Sequence, residues 1–184
     1  MSSEINFLNI LEENKGDIEK IKKIITENKS IINKEIKIIK SNSEILINSP
    51  LTFCLEKKYS ELGIFLIDKG ADINYKTFPK EDYPLLIACR NGLEKVVEKL
   101  LLQDNININC INKNNENYYT ILLHNINIPI HQLIMNYVKK KSNKTEKKIY
   151  NNKLKMKSKS LNLILQYKSK NNKFGKFLFL CFNI

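Results

Sequence analysis

Five glycines, two histidines and four cysteines are spread through 184 residues, and each scarcity removes a class of function. So few glycines leave no Gly-rich phosphate loop and no Gly-x-Ser-x-Gly nucleophile turn. His124 and His131 are seven residues apart with Pro129 between them, which favours a helix break over a shared face. No His-Glu-x-x-His or other metal spacing occurs, and the acidic residues are dispersed as solvated charge. Neither an enzyme, a metal nor a cofactor is expected.

The cysteines, Cys54, Cys89, Cys110 and Cys181, form no Cys-x-x-Cys pair and suggest no disulfide framework, which fits a reducing compartment. The N-terminus lacks a basic flank followed by a long apolar core, so no signal peptide is expected. The longest apolar run, residues 177–182, is far short of the ~20 residues of a spanning helix. The expectation is a soluble protein inside the cell, cytoplasmic or nuclear.

The formal net charge is +12, which on its own would raise nucleic acid or an acidic membrane as a partner. Position changes that reading. Residues 1–138 hold 17 Lys+Arg and 18 Asp+Glu, a net of −1, whereas residues 139–184 hold 14 Lys and one Glu, a net of +13. The excess belongs to the C-terminal tail.

What is present is a repeating pattern, clearest over residues 49–74. Ser49 can cap a helix that opens at Pro50, and Leu51, Cys54 and Leu55 then fall at the spacing of one buried stripe. Leu62, Phe65 and Leu66 start a second stripe, and Gly70 supplies a left-handed exit. Pro50-Leu51 recurs 34 residues later as Pro84-Leu85, followed by Ala88, Gly92, Val96, Val97, Leu100 and Leu101. Upstream, Gly16 to Ile25 has the layout of Gly92 to Leu101, after a first helix with Ile5, Leu8 and Leu11 as its stripe. Downstream, Thr120-Ile121-Leu122 and Leu133 to Val138 read as a worn copy, with Ile121 for Pro and Asn125 for a small residue.

This unit resembles the ankyrin repeat. Ser-Pro-Leu-Thr (49–52) stands for the family's Thr-Pro-Leu-His, and Gly-Ala-Asp-Ile-Asn (70–74) for its Gly-Ala-Asp-Val-Asn. The resemblance implies an all-α solenoid of about four helix-turn-helix repeats with β-hairpin fingers, because one such unit cannot bury its own apolar face. The expected array covers residues 1–140, with repeats at about 4–46, 47–80, 81–116 and 117–140, followed by a Lys-rich tail at 141–184. Cys54 and Cys89 fall where the family favours Ala and should be buried. Lys58 takes the place of the inter-helix Gly. Residues 33–48 exceed the family's connection and suit either an enlarged β-hairpin finger or a solvated loop.

The resemblance also implies protein–protein recognition by a concave groove of first helices and fingers. The groove candidates are Phe53, Glu56, Lys57, Ile87, Arg90 and Asn91, with Tyr75, Lys76 and Phe78 on the finger. Phe53 and Ile87 read equally well as residues half-buried between helices. The partner is an unidentified protein and the chain is expected to be a monomer. A second reading gives the function to the tail, where Lys139, Lys140, Lys141, Lys144, Lys147 and Lys148 would bind nucleic acid or an anionic membrane. Lys139-Lys140-Lys141 and Lys147-Lys148 also suit a nuclear import signal. The apolar residues 161–165 and 177–182 would form a hairpin that caps the array or anchors the tail.

Overall fold

The chain divides into a compact unit of residues 1–135 and a second of 136–184, and the computed structural model describes residues 6–141. In order these form α1 (Phe7–Glu13), α2 (Ile18–Glu27), β1 (Ile36–Ile39), β2 (Ile45–Asn48), α3 (Pro50–Glu56) and α4 (Ser60–Asp68). Then come α5 (Pro84–Asn91), α6 (Glu94–Leu101), α7 (Tyr118–Asn125) and α8 (Ile128–Lys141). No described helix is long and apolar enough to cross a membrane.

Within each helix pair the chain reverses through one left-handed residue. Gly16, Lys58, Gly92 and Ile126 hold this place, with φ of +85°, +61°, +70° and +49°. A side chain there crowds its own backbone, at a cost of about 1–2 kcal/mol. Lys58→Gly relieves that strain while adding freedom to the unfolded chain, so it should raise stability by about 0.5–1 kcal/mol. Equilibrium urea unfolding checks this, and a loss of stability would show that the lysine stem contributes to packing.

The helix starts recur in the same way. Ser49 accepts from the Thr52 N–H while Thr52 Oγ1 accepts from the Ser49 N–H, a reciprocal cap. Asn117 and Thr120 repeat it at the start of α7. The cap therefore falls at Asn117, 68 residues after Ser49, and this corrects the register of the worn copy by three residues. Tyr118 takes the Pro position, and Leu122, not Asn125, is the inward residue.

Helices α3, α5 and α7 pack side by side in one row, and α2, α4 and α6 in a second row behind them. Leu51, Leu55, Leu66, Leu85, Leu86, Val96 and Leu100 lie fully buried between the rows. Helix α4 buries Leu62, Gly63, Leu66 and Ile67, while Phe65 is only half-buried, under the Lys69 ammonium. Gly63 explains the rotation. A Cβ there would stand 2.9 Å from Leu55 Cδ2, so glycine lets the two helices approach. In α1 the inward residues are Phe7 and Ile10, with Leu8 and Leu11 half-buried, because Phe7 meets Phe53 edge-on at 6.4 Å. Ile5 lies outside the described residues.

Residues 33–48 include an antiparallel hairpin, Ile36 opposite Asn48 and Ile39 opposite Ile45. Its β2 edge continues into the next finger, where Ile47 and Phe78 exchange both backbone hydrogen bonds at 3.0 and 2.9 Å. Asparagines tie successive loops together. Asn33 donates to the Gly70 carbonyl and accepts from the Asp72 N–H; Asn74 does the same with Asn105 and Asn107. Lys139, Lys140 and Lys141 form the last turn of α8. The expectations for Lys144, Lys147, Lys148, Cys181 and the apolar tail segments lie outside the described residues.

Candidate functional site

A cavity of about 240 Å³ opens where β2, the loop of residues 75–82, and the C-terminal ends of α3 and α5 converge. Leu46, Phe78 and Ile87 supply its apolar walls, and Asn48, Glu56, Lys80, Asp82, Arg90 and Asn91 its polar groups. Phe78 is 53% exposed even though its backbone is fixed to Ile47. Rigid backbone with an open aromatic side chain is an arrangement that suits contact with a partner.

One wall is a built polar cluster. Asp82, only 2% exposed, receives both Arg90 amino groups, Nη1 on Oδ2 at 2.8 Å and Nη2 on Oδ1 at 3.0 Å. Arg90 Nη2 also donates to Glu116 Oε2 at 2.9 Å, and Asn112 Nδ2 donates to both acids at 2.7 and 2.8 Å. The Asp82 backbone exchanges bonds with Thr77. Arg90 is the only arginine in the chain, and its fork joins two acids in a fixed plane.

The cluster follows the repeat. Asn48, Asp82 and Glu116 are 34 residues apart, each immediately before a helix cap, and Glu56 and Arg90 are likewise 34 apart. In one copy the pair is Asp82 with Arg90; in the preceding copy it is Asn48 with Glu56, joined by one hydrogen bond of 3.4 Å from Asn48 Nδ2. Among the described residues Glu56 has no other hydrogen bond or ion pair. Loss of water around it pushes its carboxyl above the ordinary range; Lys80 opposes the shift and Asp82 adds to it.

Of the nine expected groove residues, Glu56, Phe78, Ile87, Arg90 and Asn91 gather round this cavity. Ile87 is nevertheless almost wholly buried, and Asn91 Nδ2 is committed to the Leu55 carbonyl at 2.9 Å. Phe53 lies buried against Phe7, with the Lys57 ammonium 5.7 Å from its ring centre. Tyr75 donates its hydroxyl to Glu35 Oε1 at 3.0 Å, and burial, then Glu35, pushes its pKa up to about 12. Lys76 pairs with Glu81 at 2.7 Å and covers the Tyr83 ring. Thr77, Lys80, Asp82, Asn112 and Glu116 were not expected. Counting in steps of 34 from Asn48 finds two of them; the others come together only through folding of the loops.

His124 and His131 fall on different helices, α7 and α8. Cys54, Cys89 and Cys110 are free and buried, and burial raises all three thiols, Cys110 to about 12.

Residues 80–113 match the ankyrin repeat family model. The solved structure of EF0377, an ankyrin repeat protein, superposes with a TM-score of 0.56 at 21% identity, covering 73% of this chain and 63% of that one. A segment of 56 residues, 30% of this chain, is 39% identical to a probable E3 ubiquitin-protein ligase, XBOS33, from Oryza sativa subsp. japonica. That segment spans 11% of the relative's length. The chain thus carries an ankyrin repeat within an ankyrin-type fold. Ankyrin repeats are generally protein–protein interaction modules, and the fold is typically a non-enzymatic scaffold.

Proposed function

We propose that the protein is a non-enzymatic interaction module, a monomer of four repeats over residues 4–140 that binds a protein partner along the face formed by α3, α5 and the finger loops. The observation that carries this reading is the cavity beside Phe78, an exposed aromatic on a backbone pinned by two hydrogen bonds. Free, buried cysteines support action in a reducing compartment inside the cell. Photo-crosslinking tests the reading. With benzoylphenylalanine at Lys57 or Phe78, extract of the source cells should give discrete crosslinked protein bands. The same probe at Lys95, exposed on α6, should give none. Equal crosslinking from all three positions would overturn it. Crosslinks confined to Lys147 would move the function to the basic tail, whose charge of +13 suits an anionic surface.

A further inference from the structure

We infer that the outer edge of β1 takes up an extended segment of the partner protein as an added strand, with an acidic residue of that segment beside Lys37; this rests on the interaction-module reading above. The register of the first finger shows the open edge. Lys37 stands opposite Ile47, and Ile47 commits both its N–H and its C=O to Phe78. In an antiparallel ladder a pair so placed exchanges no bonds, so the N–H and C=O of Lys37 point away from β2. The Lys40 N–H donates to the Glu44 carbonyl at 2.9 Å, which fixes the same alternation from the turn end. Ile39, opposite Ile45, therefore also turns its N–H and C=O outward. No described residue meets these four backbone groups. Such an edge is a template for one more strand. The other edge of the hairpin is already used this way, by Phe78 of the next finger.

The side chains along the edge select the segment. Directly opposed residues share a face, so Lys37, Ile39, Ile45 and Ile47 lie on one side of the hairpin and Ile36, Ile38, Leu46 and Asn48 on the other. The second side turns inward, with Ile36 and Asn48 buried. The first is open: Ile39 is 67% exposed and Ile45 37%. These two opposed isoleucines form a short apolar row that stops at the edge. An apolar residue of the added strand, opposite Ile39, continues the row. Two residues further along, on the same face, the added strand places a side chain beside Lys37.

Lys37 is the one charged residue within β1, is exposed, and enters no ion pair among the described residues. The acids of this finger and the next loop are engaged. Glu35 accepts the Tyr75 hydroxyl, Glu44 pairs with Lys40, and Asp72 accepts the Asn74 N–H. A carboxylate is thus the complement of Lys37, as opposite charges are in cross-strand pairs. A second copy is the poorer occupant, because pairing β1 with β1 brings together two chains of +12 each.

The test is amide exchange and NMR titration of the full ¹⁵N-labelled chain with three blocked heptapeptides. They are acetyl-Thr-Thr-Val-Thr-Glu-Thr-Thr-amide, its lysine-for-glutamate form, and its form N-methylated at valine. In the free chain the Lys37 and Ile39 amides should exchange faster than that of Ile38, which faces β2. Near saturation the glutamate peptide should slow exchange at Lys37 and Ile39 at least about fivefold. It should bind about threefold or more tightly than the lysine peptide, and the N-methyl peptide should not bind. Lys37→Glu should reverse the order of the first two. Ile39→Pro removes a donor that the fold leaves unused, so it should abolish binding with spectra beyond the hairpin unchanged. Protection of Lys37 and Ile39 in the free chain would overturn the inference, since the edge would already be covered; a doubled mass in sedimentation would then assign it to a second copy. Undiminished binding of the N-methyl peptide, an order unmoved by Lys37→Glu, or no saturable binding would also overturn it. If these titrations fail while crosslinking from Lys57 and Phe78 persists, the added strand falls and the groove stands; if both fail, so does the groove.

Discussion

Arg90→Met is expected to destabilise the protein by roughly 3 kcal/mol, more than any other single change on the groove side. The reason is what it leaves behind. Asp82 is almost wholly buried and takes two hydrogen bonds from Arg90, its ion-pair partner; without that cation a desolvated carboxylate keeps only Asn112 and its backbone contacts. Breaking a buried pair from one side costs about 3–5 kcal/mol. The lower end applies because the Arg90 side chain is 35% exposed and water screens part of the loss. Arg90→Lys should recover less than half, since an ammonium cannot hold Asp82 with two parallel bonds and reach Glu116 as well. The double change Asp82→Asn with Arg90→Met should cost less than Arg90→Met alone, because no charge is then stranded. Urea unfolding of the three variants checks the order. A loss under about 1 kcal/mol for Arg90→Met would mean that Asp82 finds water or another cation.

The array was legible in the sequence because its signals are local. Pro50-Leu51 and Pro84-Leu85 mark helix starts, and Gly16, Gly70 and Gly92 mark reversals, all at positions where backbone geometry leaves few alternatives. Lys58 and Ile126 hold the same left-handed turn without glycine, so at those two places the spacing, not the residue, carried the information. The errors came where two local signals compete. Thr120 looks like a cap, yet it is the second half of a box that opens at Asn117. Phe65 looks like core, yet Gly63 turns α4 so that Ile67 goes in its place.

The candidate site was less legible, because it depends on pairs far apart in the chain. Glu56 and Arg90 could be named as groove residues from their place in the helix. That Arg90 is bound to Asp82 and Glu116 while Glu56 is left with Asn48 required the fold. Likewise Phe53 and Phe78 carry the same residue type, and only the folded chain separates the buried one from the exposed one. Periodicity of 34 does connect Asn48, Asp82 and Glu116, so a reading by columns of the repeat would have found the cluster.

The largest loss outside the cluster is expected at Leu100. Three leucines follow one another at the end of α6, and the fold uses each differently: Leu100 is 0% exposed, Leu101 8% and Leu102 72%. Leu100 lies on the inner stripe with Val96 and Val97, where α6 packs against α4 and α5. Truncating it removes apolar contact and leaves a hole that helices held on both sides cannot close. Leu100→Ala should therefore cost about 2–5 kcal/mol. Leu102→Ala, two residues away with the same change of volume, should stay within about 0.5 kcal/mol. The pair shares side-chain chemistry, with Leu100 in the last turn of α6 and Leu102 its C-cap, so most of the difference reports burial. Neighbours in a stacked array support one another, so the lost interface should lower the whole unfolding transition, not only that of one copy. Urea unfolding followed by circular dichroism gives both numbers. Equal losses at the two leucines would mean that α6 is rotated from the placement described, and that the inner stripe runs through Leu102 instead.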